Sequence, residues 1–322
     1  MLERTRQAAT LIKNIAHDAA RYWQNAFVRG EGTSMHTLAR IAVNCHILER
    51  GMSLPNPRPG YAANIAEHLS ALLLSFLEKN ERKDRMELVG AHGTLKAYLR
   101  MHAEIGYDLG ETRGAVNLAL KALQAADIGQ SNGAVDHILR ESALVQSGPE
   151  AQLFLRSRRS VRQYDDRPVD PELVRDAVAL GQMAPSVCNR QSGRVHVFLA
   201  RAKLQKILRH HIGNRGFGET VPAVAIVTAD LRTFEGVKER KQAYVDGGLF
   251  AMAFLFGLQA VGLAACPLNW SVYIERDRLM RNAASIPSSE IIIMLIAFGH
   301  FREEFSVARS CRLRIEDVLT QH

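Results

Sequence analysis

GGLFAMAFLFGLQAVGLAACPLNW, residues 247–270, contains no charged side chain. Its length would let it cross a bilayer. Its composition argues otherwise. Gly257 and Gly262 interrupt it, Gln259 lies inside it, Pro267 follows closely, and alanine and glycine dilute its hydrophobicity. The pattern predicts a helix from about Arg240 to Val261, buried on nearly all sides, then a break at Gly262 and a short strand over Leu263–Pro267. No transmembrane segment is expected. A helix apolar all round needs a large core or a partner subunit to cover it.

Around this helix, strands and helices alternate. Helices are predicted at Pro149–Ser157, Pro171–Met183, Lys203–His210 and Glu275–Ala283. Strands are predicted at Val195–Ala200, Ala223–Thr228 and Ile291–Phe298, and the tail RSCRLRIEDVL has room for one more short element. Such alternation indicates an α/β or α+β domain. Residues before about 148 read differently, as helices only: Leu2–Phe27, Met35–Arg50, Ala62–Lys79, Asp84–Ala103, Thr112–Gln124 and Val135–Val145. They are punctuated by GEGTS at 30–34, PNPRPG at 55–60 and GQSNG at 129–133. The expected division is a helical region over 1–148 and a second domain over 149–322. At the N-terminus, Leu2, Ala9, Leu11, Ile12, Ile15, Ala16 and Ala19 form a stripe that fits a helix packed on a core. Weak contact with a membrane surface is the lesser alternative.

The chain has 322 residues, 47% hydrophobic and 23% charged, close to the globular average. Disordered, collagen-like and disulfide-scaffold classes are excluded. Net charge is +8, which favours anionic partners such as phosphate-bearing cofactors. The cysteines at 45, 188, 266 and 311 form no CxxC pair, so no metal or redox motif is expected. Scattered thiols suit a reducing, cytoplasmic setting. Aromatic content is 7%, and no aromatics interleave with the basic run, which argues against nucleic-acid binding.

Four local patterns could carry chemistry. In RSRRSVR, Arg158, Arg159, Ser160 and Arg162 gather guanidiniums and a hydroxyl, a set suited to a phosphate monoester. A solvated basic loop is the plainer alternative. In APSVCNRQSG, 184–193, Pro185 and Ser186 fix a turn, while Asn189 and Gln191 place two carboxamides that can read a heterocycle edge. An ordinary polar turn is the plainer alternative there. GNRGFG at 213–218 looks like a dinucleotide loop, but no strand precedes it. Arg309, Arg312 and Arg314 crowd the tail.

The order RRSVR, then APSxxNxQ, then a long apolar helix ending GLAACPLN, then a strand ending AFGH, then a basic tail resembles the nitroreductase family over about residues 152–320. The resemblance implies an α+β fold, with a mixed sheet flanked by helices, preceded here by an all-helical region. It implies a homodimer with FMN at the interface. Arg158, Arg159, Ser160 and Arg162 would contact the flavin's phosphate, ribityl or pyrimidine atoms. Pro185, Ser186, Asn189 and Gln191 would reach the flavin of the other subunit. Asn214 would supply a further amide, the Leu268-Asn269-Trp270 backbone would approach the reactive edge, and Arg309 and Arg312 would complete the phosphate cage. NAD(P)H would be co-substrate, passing a hydride in a ping-pong scheme to a small organic electron acceptor of nitro or quinone type. No Ser/His/Asp or Cys/His constellation is required, so no catalytic side chain and no metal are expected, and Cys188 reads as packing.

The chain also departs from the pattern. Ser192-Gly193 replaces Pro-Trp, Trp270 replaces a small residue, and AFGH lacks a final proline. These changes bear on the acceptor pocket more than on the flavin site. In the helical region, NCHILERGMSLPNPRPGY resembles an HxxEKGL segment found ahead of such modules in proteins associated with bacterial surface-polysaccharide gene clusters. His46 and Glu49 share a helix face there. A hydrogen bond between them, fixing the helix to the turn at Gly51, is the favoured reading over a metal or substrate site. The leading function is therefore an FMN-dependent oxidoreductase, with a link to polysaccharide biosynthesis. The alternative is a flavin-binding accessory protein of that biosynthesis with little turnover. NAD(P)H oxidation with a quinone or nitroaromatic acceptor separates the two.

Overall fold

A computed structural model describes residues 2–28, 32–79, 84–129, 131, 134–145 and 147–322. The turns expected at 30–34 and 129–133 therefore lie partly outside the described residues. The elements follow in chain order. Helices α1 (Leu2–Asn25), α2 (Ser34–Met52), α3 (Ala63–Glu78), α4 (Met86–Glu104), α5 (Glu111–Ala125) and α6 (Arg140–Leu144) come first, then α7 (Pro149–Ser157) and α8 (Pro171–Gly181). After these come β1 (Gly193–Phe198), α9 (Arg201–Leu208), β2 (Ala223–Asp230), α10 (Gln242–Ala260), β3 (Leu263–Asn269), α11 (Ile274–Ala284) and β4 (Glu290–His300). The fold is α+β: a helical region, then an antiparallel four-stranded sheet ordered β1-β2-β4-β3 between helices.

Strand periodicity explains the layering. Alternate residues of a strand face opposite sides. Val224 and Ile226 of β2 therefore join Ala264, Cys266 and Leu295 under α9 and α11, packing on Leu204, Ile207 and Met280. Ala223, Ala225 and Val227 face the other way, toward Ala177 of α8 and Phe250, Phe254 and Leu258 of α10. Every residue of β2 is buried, which is why it reads as a continuous apolar run. Helices α8 and α10 approach closely at Gly257, where a Cβ would stand 2.4 Å from the Ala177 carbonyl oxygen.

Helix α10 corrects the expectation of burial on nearly all sides. Ala243, Gly247, Phe250, Ala251, Phe254 and Leu258 follow helical spacing and meet the sheet and α8. Tyr244, Val245, Leu249 and Met252 face away and are 39–52% exposed. It is the one described helix long and apolar enough to cross a membrane, and half of its span is buried inside the protein.

Helices α2 to α5 enclose their own core of Leu38, Ile41, Leu48, Leu69, Leu73, Leu88, Leu95, Tyr98, Val116 and Leu123. Two expectations fail nearby. The helix predicted over Val135–Val145 shrinks to α6, because Ile138 and Leu139 find no core and so short a helix cannot sustain itself. In α1 the stripe Leu11, Ile12 and Ile15 is 57–67% exposed. The docking face of α1 is polar instead: Arg21 pairs with Asp277 at 2.8 Å and Lys13 with Glu275 at 3.1 Å. Tyr22 and Ala26, at its end, pack with Ala229, Leu231, Phe234 and Ile291. The Tyr22 hydroxyl donates to the Gly236 carbonyl at 2.7 Å. Beyond Phe301 the tail is exposed throughout and forms a single 3-10 turn at Ile315–Asp317.

Candidate functional site

The segment after α7 runs along the edge of β3. The Val161 amide donates to the Ala265 carbonyl at 3.0 Å, and Ser160 bridges Ala265. This anchoring carries Arg158, Arg159 and Ser160 to a cavity of about 620 Å³ that they share with Met252, Arg309, Ser310 and Arg312. The guanidiniums come from both ends of the domain. Burial, then the Arg312 and Arg159 charges, pulls the Arg158 guanidinium below its ordinary value. Arg158 Nη1 is also buried with no hydrogen-bond partner. Cations crowded together with an unused donor could hold an anion with several acceptor oxygens, such as a phosphate monoester. Arg162 stands apart from this cavity. It is exposed, donates to the Ser160 carbonyl at 3.4 Å, and its charge lies near Cys266, whose thiol burial pushes up.

The 184–193 segment is a strained loop. Cys188, Asn189 and Gln191 hold φ of 48°, 51° and 49°, in the left-handed region that residues other than glycine rarely enter. Asparagine tolerates it, whereas cysteine and glutamine do so at a cost of about 1–3 kcal/mol each. Buried neighbours hold the conformation. Asp246 of α10 accepts from the Val187 amide at 3.2 Å and from Gln242 Nε2 at 2.8 Å. Ser186 Oγ accepts from the Gln191 amide at 2.9 Å. Arg190 donates to Glu239 at 2.9 Å, and its guanidinium lies over the Phe234 ring. The result leaves Pro185, Asn189 and Gln191 exposed. Neither the Asn189 nor the Gln191 side-chain amide makes a hydrogen bond among the described residues. Arg190 and Asp246 are the residues that sequence reasoning missed, and the arginine's place inside the motif was the available signal.

The remaining expected residues gather at the end of β3. Leu268 is buried in the core, while Asn269 is exposed and its carbonyl meets His211 Nε2 at 2.8 Å. Trp270 stacks against His211 and donates to Asp277 at 3.1 Å. Burial pulls the His211 imidazole below its ordinary value. Asn214 lies on the loop after α9. Its amide donates to the Leu208 carbonyl at 3.3 Å, so this group caps a helix rather than standing free.

Strand register separates the two main groups. Ser160 lies beside Ala265, which pairs with Phe298, which pairs with Ala223. Gly193, next to the strained loop, pairs with Ala229 at the other end of β2. At about 3.4 Å per residue and about 4.8 Å per strand, Ser160 and Gly193 occupy opposite corners of the sheet, roughly 28 Å apart. One chain does not bring its arginine cage to its own loop.

The helical region closes over that loop. Met35, Leu38, Ala39, Ala42, Cys45 and Glu49 of α2 form one wall of a cavity of about 410 Å³, and Ala184, Pro185, Ser186, Asn189 and Gln191 form part of the other. The expected His46–Glu49 hydrogen bond is not made. Glu49 Oε1 accepts instead from Thr94 Oγ1 of α4 at 2.8 Å, because the two helices pack face to face. No group of His, Cys, Asp and Glu among the described residues could hold a metal.

Residues 155–214 match the model of the nitroreductase family. A Streptomyces griseus protein named as an NADH dehydrogenase/NAD(P)H nitroreductase is 26% identical over 195 residues, which is 53% of this chain and 96% of that protein. An Archaeoglobus fulgidus protein of the same name is 25% identical over 162 residues, 48% of this chain and 87% of its own. Among solved structures, a nitroreductase in complex with FMN from Desulfovibrio desulfuricans aligns at TM-score 0.47 and 22% identity, over 55% of this chain and 98% of that one. An FMN-dependent nitroreductase from Clostridium difficile aligns at 0.45 and 20%, over 52% and 98%.

Proposed function

We propose that this chain, whose second half belongs to the nitroreductase family, is an FMN-dependent oxidoreductase. It passes electrons from NAD(P)H to a small nitro- or quinone-like acceptor as a homodimer. The observation that carries the reading is the arginine cage, with its buried, unpartnered Arg158 Nη1. That orphaned donor and the crowding around it suit the phosphate of a mononucleotide. Arg158, Arg159, Ser160, Arg309 and Arg312 would hold this end, and Arg162 would lie beyond the phosphate, beside β3. The isoalloxazine would extend toward Asn269 and Trp270 of the same chain. Asn189 and Gln191 would come from a second copy, since their own chain's cage is too distant. NAD(P)H is supported by the names of the curated relatives.

FMN held by these residues would supply the hydride and electron chemistry between NAD(P)H and the acceptor. The protein's residues have other tasks. The cage fixes the phosphate through charge-assisted bonds. The loop's backbone is already fixed by Ser186 and Asp246, so little backbone freedom would be lost on binding. The α2 and α4 wall faces the loop across a shared cavity. The test is the visible spectrum of purified protein and the nucleotide that denaturation releases. Yellow protein releasing FMN rather than FAD, with quinone-dependent NAD(P)H oxidation, is expected. Colourless protein that also fails to bind added FMN overturns the reading, and flavin-bound protein without turnover supports an accessory role instead.

A further inference from the structure

We propose that the cavity between the helical region and the 184–193 loop is the binding pocket for the electron acceptor, and that Glu49 selects acceptors whose polar end donates hydrogen bonds or carries positive charge. This rests on the flavin reading, since it assigns the space beside the flavin-facing loop.

The cavity is built from both regions, α2 and α4 on one side and the loop on the other. Its charges are mostly matched. Arg85 pairs with Glu87 at 2.7 Å, Arg194 lies 3.6 Å from Asp230, and Arg190 pairs with Glu239 at 2.9 Å. Asp246 is consumed by the Val187 amide and Gln242. Glu49 differs. Among the described residues no cation pairs with it, and one oxygen is held by Thr94 at 2.8 Å. A half-buried carboxylate fixed by one neutral hydrogen bond, with its second oxygen unused, attracts a donor. Its field reaches the adjacent Cys45, where burial first and then the Glu49 charge push the thiol up to about 12. Arg190 Nη1 and Ser192 Oγ, on residues of the opposite wall, are buried without partners. They would complement the acceptor's nitro or carbonyl oxygens, which carry partial negative charge and accept hydrogen bonds. The remaining lining, Met35, Leu38, Ala42 and Phe250, is apolar and suits a flat ring between the two ends.

Three probes of one shape test this: 4-nitrobenzylamine, 4-nitrobenzyl alcohol and 4-nitrobenzoate, titrated calorimetrically into the full-length, FMN-saturated protein. Wild type should bind the ammonium at least about tenfold more tightly than the carboxylate, with the alcohol between them. Glu49→Gln keeps the shape and the Thr94 bond and should shrink that ratio below about threefold. Glu49→Asp should largely restore it, which separates loss of charge from loss of fold. FMN affinity, read by flavin fluorescence, should stay within about twofold of wild type in both variants. An unchanged ratio in Glu49→Gln overturns the proposal. So does a large loss of FMN affinity, which would place Glu49 on the flavin instead. Failure of the flavin reading shows separately, as wild type that binds no FMN.

Discussion

At the scale of single residues, the cage and the α1 seat make opposite demands on charge. Arg158 is crowded by like charges and lacks a partner for one donor. Its removal should cost the ligand rather than the fold. A charge-assisted bond is worth about 1.5–3 kcal/mol, so Arg158→Ala should weaken FMN by about 10- to 150-fold in a fluorescence titration. Arg175→Ala, at an exposed pair with Glu172 on α8, should leave it unchanged. Asp277 works the other way. Burial raises its carboxyl, but Arg281, Trp270 and Arg21 outweigh burial and hold it below the ordinary carboxylate range. A depressed value means stability that is present above the ordinary range and lost as pH falls through the lowered one. Asp277→Asn should therefore cost about 3 kcal/mol near pH 7, and the gap to wild type should close in acid, measured by urea unfolding at stepped pH. Charge density of the RRSVR kind is legible in sequence because its members are neighbours. The Arg21–Asp277 pair is not, because its partners stand 256 positions apart and each reads alone as ordinary helix surface.

Elements show where periodicity informs and where it stops. Pro149–Ser157 matches α7 at both ends: proline opens the helix, and from Arg158 the chain turns extended to run beside β3. The apolar run of α10 located that helix but could not say which side the sheet would take. With apolar residues on every face, the pattern has no polar stripe to mark solvent. The face left over, Tyr244, Val245, Leu249 and Met252, is exposed and apolar and would seat the second copy that the proposed homodimer requires, and Met252 also borders the arginine cage. Leu249→Glu with Met252→Glu should turn a dimer that persists at micromolar concentration into a monomer by light scattering. The same variant should lose FMN, although its cage arginines are intact. The strained 187–191 loop was legible as a motif, and its left-handed backbone was not, since no glycine occupies those positions.

For the whole molecule, the core of α2 to α5 is separate from the cores on the two faces of the sheet, but the surfaces above them are not independent. Tyr22 and Ala26 fill a seat beside Ala229, Phe234 and Ile291, and α2 walls the loop. We expect a chain beginning at 149 to keep every cage and loop residue and its affinity for FMN, while melting earlier and losing discrimination among acceptors. Thermal unfolding followed by flavin fluorescence reads the first two of these. The helical region's part in the site was only half legible: Glu49 lies in the segment whose motif stands out in the sequence, whereas Met35, Leu38, Ala39 and Ala42 of the same wall are small or apolar and carry no motif. The placement of cage and loop at opposite corners of the sheet has a genetic consequence. In the proposed homodimer, an allele carrying Arg158→Ala and another carrying Asn189→Ala with Gln191→Ala would each be defective at both sites of their own dimer. Expressed together, they pair at random, and each mixed dimer concentrates both lesions in one site and leaves the other whole. About a quarter of the wild-type sites should return. Two null alleles of one gene would then complement each other in the same cell.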